Sequence, residues 1–251
     1  MTNWITRAIR ALVAVVMLSP LPGNCAEIRV AVASNFRPAM ETLQQAFESR
    51  TNHRLTLIFG STGKHYAQII NGAPFDVFLA ADVDHPQRLE NEGVAMSGSR
   101  FTYAIGKLAL WSPRPGYVDD QGRILEHGDF RHLAIANPRL APYGLAAREV
   151  LQARGLWQRL SARLVRGENI AQTFQFVESG NAELGFVAWS QLERPDRPAT
   201  GSFWLVPQQF YQPIEQQAVV LKTAKASQSL VHFMQSPEAL KIIRDHGYAV
   251  P

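Results

Sequence analysis

Residues 27–36 read EIRVAVASNF and residues 54–64 read RLTLIFGSTGK. Each is an apolar run of strand length that breaks into small polar residues and then enters a helical pattern. Ser34 and Asn35 precede a stripe of Met40, Leu43 and Phe47, with Pro38 in the first turn, where proline is tolerated. Ser61 and Thr62 lie between Gly60 and Gly63, glycines that permit close approach of backbone. A helix N-terminus carries N–H groups with no intrahelical acceptor and the positive end of the helix dipole. Two such ends facing one cleft make a site for an oxyanion that contains no charged side chain.

The same alternation runs through the chain. It predicts strands at 27–33, 54–59, 76–81, 101–112, 132–137, 163–167, 184–189 and 215–222. Helices are expected near 37–50, 64–72, 84–92, 143–154, 170–179, 225–235 and 237–245. Strands alternating with helices give an α/β fold with parallel-rich sheets covered on both faces. One sheet would need about eight strands, so two lobes fit the pattern better. FTYAIGKLALWSP (101–113), with Gly106 inside it, and EQQAVVLKT (215–223) are long extended runs that would carry the chain between lobes. Lobe one is then expected at 27–104 plus 219–251 and lobe two at 105–218. Ligands of open α/β sheets bind in the crevice beyond the carboxyl ends of the strands.

Residues 1–26 read as a leader rather than as part of the fold. Arg7 and Arg10 precede the apolar ALVAVVML (11–18), and SPLPGNCA (19–26) approaches a cleavage point, placed here after Ala26. The apolar run is short for a membrane span. A lipoprotein anchored through Cys25 is the second reading. The expected location is therefore periplasmic. Without the leader, Lys plus Arg falls from 25 to 23 against 21 acidic residues, and the basic residues form no stripe. That argues against nucleic acid as a partner. Cys25 is the only cysteine, which excludes disulfides and thiolate metal sites from the mature chain.

Four segments are candidates to face a ligand. Ser34 with Asn35, and Ser61 with Thr62, are ordinary helix caps when taken singly. As a matched pair of loops after apolar strands, they equally suit an anion. NPRLAPYGLAAREVL (137–151) starts a helix at Pro142 and Tyr143, and Tyr143 offers a phenol or a backbone N–H. In VRGENIAQTFQFVESG (165–180), Asn169 caps a helix at whose start Ile170 offers a backbone N–H. GSTGK is no P-loop: Ile58 stands where a glycine is needed, and His65 follows Lys64 where Ser or Thr is needed. Lys64 reads as a solvated first-turn residue. Histidines at metal-ligand spacing and a GxSxG elbow are both missing, so no cofactor, cation site or catalytic residue is expected. Asp76, Asp82 and Asp84 read as caps and strand-end acceptors.

VAVASNF, IFGSTGKHYAQIINGAPFDVFLAAD, FTYAIGKLALWSP, NPRLAPYGLAAREVL and GFVAWSQ together resemble the periplasmic molybdate-binding proteins of molybdenum ABC importers, the ModA family. The resemblance runs from about Glu27 to Pro251. It implies a two-lobe, type II solute-binding fold that closes on a hinge, and a receptor rather than an enzyme. It also implies molybdate or tungstate as ligand, and an importer permease in the membrane as partner. Ser34 and Thr62 match the family's first two binding loops, with Asn35 and Ser61 beside them. Tyr143 matches the third loop, and Ile170 the fourth as a backbone donor. Where some members place a tyrosine, this chain has Ala188. A monomer is expected. The alternatives are a receptor for sulfate or another tetrahedral oxyanion and, further off, a secreted ester hydrolase.

Overall fold

The computed structural model describes residues 25–251 apart from residues 129 and 196. The expected leader and its cleavage lie outside them, save for Cys25, which is exposed, and Ala26. Among the described residues no helix is long and apolar enough to cross a membrane.

The first sheet is built from β1 (Glu27–Ala33), β2 (Arg54–Gly60), β3 (Val77–Leu79), β4 (Phe101–Gly106) and a late strand, Ile214–Val220. Its order is β2-β1-β3, then Ile214–Val220, then β4. β1 runs parallel to β2 and β3, and the late strand is antiparallel to both its neighbours. The second sheet uses β5 (Leu108–Ser112), β6 (Leu133–Ala136), β7 (Leu164–Gly167), β8 (Leu184–Ala188) and β9 (Ser202–Leu205), in the order β7-β6-β8-β5-β9. The late strand is therefore β10. The run expected as one strand over 101–112 is broken at Lys107, so β4 belongs to one sheet and β5 to the other. The chain changes lobes next to Gly106, the glycine read as a bend. It returns through 206–213 into β10, which pairs with β4 from Ile214 onward, so the expected boundary at 218/219 falls inside that strand.

Alternation places the cores. Ile28, Val30 and Val32 of β1 face one apolar cluster with Met40, Leu43 and Phe47 of α1 (Arg37–Arg50). Ala31 faces the opposite cluster with Ile69 of α2 (Thr62–Ile70) and Leu89 of α3 (Asp84–Asn91). The second sheet repeats the scheme: Leu108 and Leu110 face one core, Ala109 and Trp111 the other. Helices α4 (Pro142–Ala153) and α5 (Ile170–Glu178) follow β6 and β7. The helices α6 (Lys225–Met234) and α7 (Pro237–Asp245) return to the first lobe, where both pack on α1. Ser236 caps α7 by accepting from Ala239 N–H at 3.2 Å. Gly247 ends it at φ +82°, a left-handed turn that only glycine adopts freely.

A candidate oxyanion cradle between the lobes

Four parallel strands deliver their carboxyl ends to the crevice. β1 runs into a single 3-10 turn, Ser34–Phe36, ahead of α1. β2 ends at Gly60, and Ser61 then sits at the N-cap of α2. β6 leads to the start of α4, and β7 to Asn169, the N-cap of α5. Ser34, Asn35, Ser61, Thr62, Tyr143 and Ile170 are all buried. None carries a charge.

Contacts across the crevice show the lobes closed on each other. Gly63 N–H donates to Leu140 C=O at 2.9 Å. Ser190 Oγ donates to Asn35 C=O at 3.2 Å. α5 packs against the Ser34–Phe36 turn. At the rim, Lys64 Nζ meets Glu168 Oε1 at 2.8 Å, so Lys64 bridges the lobes rather than facing water alone. Trp189, in the turn Trp189–Leu192 of the second lobe, lies against Gly247 of the first. A Cβ there would come within 2.8 Å of the indole Cδ1.

The hydroxyls are prepared to donate. Thr62 Oγ1 accepts from Ala81 N–H at 3.0 Å, which leaves its single proton for another acceptor. Tyr143 Oη accepts from Gln216 Nε2 at 3.3 Å and has the Tyr248 hydroxyl as a further hydrogen-bonding neighbour. Ser61 Oγ is buried without a hydrogen-bond partner and makes no cap bond, so capping does not explain it. A buried, unsatisfied hydroxyl costs stability unless something else fills its shell. Asn169, by contrast, is a true cap: its side chain accepts from Gln172 N–H. The amides of Ile170 and Ala171, in the first turn of α5, have no intrahelical acceptor.

Asn35 is placed differently from its neighbour. Its side chain turns into the hinge, where Nδ2 donates to Gln216 Oε1 at 2.8 Å and to Tyr248 Oη at 3.0 Å. Tyr248 in turn donates to Asn35 C=O at 2.8 Å. Tyr103 belongs to the same buried network through Ala80 C=O and Gln216. Burial pushes the phenols of Tyr103 and Tyr143 well above their ordinary value. It also pushes Tyr248 up to about 12, against hydrogen bonds that favour ionisation. All three therefore keep their protons at neutral pH.

Tyr103, Ser190, Gln216 and Tyr248 were not singled out from the sequence. The available signal was the Gln216–Gln217 pair inside an otherwise apolar run, since a buried strand amide needs partners. Ala188, at the end of β8, donates its N–H to Gln191 Oε1. The aspartates are acceptors: Asp76 takes Arg29 N–H and Asp82 takes His85 N–H. Among the described residues no cluster of His, Cys, Asp and Glu could hold a metal ion.

A family model described as bacterial extracellular solute-binding protein matches residues 28–249. The molybdate-binding protein ModA of Azotobacter vinelandii is 51% identical over 230 residues, covering 90% of this chain and 91% of that protein. The ModA of Rhodobacter capsulatus is 46% identical over 245 residues, 96% of each chain. A solved periplasmic molybdate-binding protein of Azotobacter vinelandii superposes with a TM-score of 0.87 at 44% identity, covering 89% of this chain and 99% of that one.

Proposed function

The chain belongs to the bacterial extracellular solute-binding proteins, within the ModA family, and on that premise we propose that it captures molybdate between its lobes and delivers it to an ABC importer. It is a receptor rather than an enzyme. The observation that carries the reading is a cradle of neutral donors. Thr62 presents its proton because its oxygen already accepts from the protein, and Tyr143 accepts from Gln216 with Tyr248 beside it as the other acceptor for its proton. Ser61 Oγ waits without a partner. Ser34 supplies a further hydroxyl, Ile170 a first-turn N–H, and Asn35 its backbone N–H, its side chain being engaged in the hinge.

Molybdate at neutral pH is a tetrahedral dianion whose oxygens only accept. Phosphate still carries a proton, and leaving it without an acceptor costs about 1–3 kcal/mol. Sulfate has the same charge but shorter bonds to oxygen, so a cleft fitted to molybdate stretches each contact. Tungstate is nearly the size of molybdate and is expected to bind almost as well. Hydrogen bonds to a charge contribute roughly 1.5–3 kcal/mol each, so six or seven give on the order of 10–20 kcal/mol before desolvation and ordering are subtracted. A net of about −8 kcal/mol already means micromolar affinity.

Such a receptor works outside the cytoplasm. The leader at 1–26 is the proposed export signal, free periplasmic protein is preferred over a Cys25 lipoprotein, and the working unit is a monomer. The deciding experiment is calorimetry of the mature protein with molybdate, tungstate, sulfate and phosphate. Saturable heat is expected from the first two at concentrations where the others give none. Tighter binding of sulfate than molybdate would replace this reading with that of a sulfate receptor.

A further inference from the structure

Gln216 is a polar side chain without solvent exposure, on the strand that leads back into the first lobe. The ladder to β4 shifts register between Gln216 and Gln217, an irregularity of the kind that re-aims a side chain. Both ends of its amide are engaged. Oε1 accepts from Asn35 Nδ2 at 2.8 Å and lies 3.1 Å from the Tyr103 hydroxyl, whose one proton it shares with Ala80 C=O at 3.0 Å. This pairing fixes the orientation of the amide, so Nε2 points the other way, to Tyr143 Oη at 3.3 Å. Gly106 makes the room: a Cβ there would stand 2.1 Å from Tyr143 Oη and 2.9 Å from Gln216 Nε2. Gly106 has no left-handed backbone, so space rather than conformation requires glycine here.

Resting on the molybdate reading above, we propose that Gln216 is a positioning residue for ligand capture. It occupies the acceptor side of the Tyr143 hydroxyl, directs that phenol's proton toward the oxyanion, and ties it to Asn35 of the first loop. A hydroxyl has one proton and must choose an acceptor. With Gln216 donating into the oxygen, that proton is left with two acceptors, the neighbouring Tyr248 hydroxyl of the hinge and the oxyanion, and capture of the ligand turns it from the first to the second. Without Gln216 the phenol is free to turn, and part of the ligand's binding is spent on fixing it.

The test is a double-mutant cycle read by calorimetry with sodium molybdate. Gln216→Met keeps the volume and removes both hydrogen-bonding ends. It is expected to weaken binding roughly five- to twentyfold in the parent protein, the scale of a lost bond to a charged group. In Tyr143→Phe, which has no hydroxyl to direct, the same change should cost less than about twofold. Equal losses in both backgrounds would overturn the proposal, because a merely structural role acts with or without that hydroxyl. Should Gln216→Met fail to fold, the parent supplies a second measurement. The side-chain amide resonance of Gln216 should move when molybdate is added and should move clearly less in Tyr143→Phe, where only closure of the hinge acts on it. A movement just as large in Tyr143→Phe, or none in the parent, overturns the proposal equally. A parent that gives no heat with molybdate removes the receptor reading and this proposal together, an outcome distinct from additive losses in a protein that binds.

Discussion

Ser61 and Thr62 are adjacent, both buried and both at the head of α2, yet they should respond oppositely to loss of the hydroxyl. Thr62 Oγ1 satisfies the Ala81 N–H, so Thr62→Ala orphans a buried donor as well as removing a ligand contact. Ligand-free stability should drop by about 1–3 kcal/mol, and molybdate affinity should fall too. Ser61 Oγ satisfies nothing in the protein. In Ser61→Ala the ligand-free protein should be as stable as the parent or more so, by up to about 1 kcal/mol, while affinity still drops. Urea unfolding and calorimetry on the two variants check this. The residue types were legible from sequence, because small hydroxyl residues before a helix are a known pattern. Their roles were not. Whether a serine caps its helix or faces a ligand is decided by backbone several residues and one lobe away.

Among the elements, α2 shows how tightly the two halves meet. A Cβ on Gly63 would lie 3.2 Å from both Cα and C=O of Leu140, backbone that cannot swing aside. Gly63→Ala should therefore hinder closure and weaken molybdate binding by about 1–3 kcal/mol, the usual cost of overpacking, with ligand-free melting unchanged. Calorimetry paired with a thermal melt reads both. Two residues on, His65 anchors α2 to β1 through Val32 C=O at 3.2 Å. Burial lowers its pKa from the ordinary 6.5, against the hydrogen bonds to Gln68 and Val32. The unfolded chain then binds the proton more readily than the folded one, so stability is whole above about pH 6.5 and declines as pH falls through that value toward the depressed folded one. Urea midpoints at neutral and mildly acid pH should show the decline, and His65→Gln should flatten it. Long apolar strands and amphipathic helices such as α1 were readable because burial on one face writes a period into the sequence. β9 was not. It is four residues long at a sheet edge, and its alternation of buried Ser202 and Trp204 with exposed Phe203 and Leu205 is too brief to register behind a proline-rich loop.

At the scale of the whole molecule, the two-lobe plan was legible because Gly106 interrupts an extended run long enough to serve two sheets. The buried hinge network was not, since Asn35, Tyr103, Gln216 and Tyr248 are far apart in sequence and only closure brings Ser190 to them. The ion pair at the rim adds little to closure. The Lys64–Glu168 pair is half exposed at both ends, a class of ion pair that contributes about 0–1 kcal/mol. The indoles are also unevenly shared. Trp157 and Trp204 belong to one core of the second lobe, and Trp111 stacks on Phe174 in the core on the other face of its sheet. Trp189 touches the opposite half, at Gly247. Opening the cleft would expose that one ring to water and leave the other three in unchanged surroundings. The protein thus contains its own optical gauge of the hinge. Emission should shift on titration with molybdate in the parent and stay flat in Trp189→Phe, while the heat of binding persists in both.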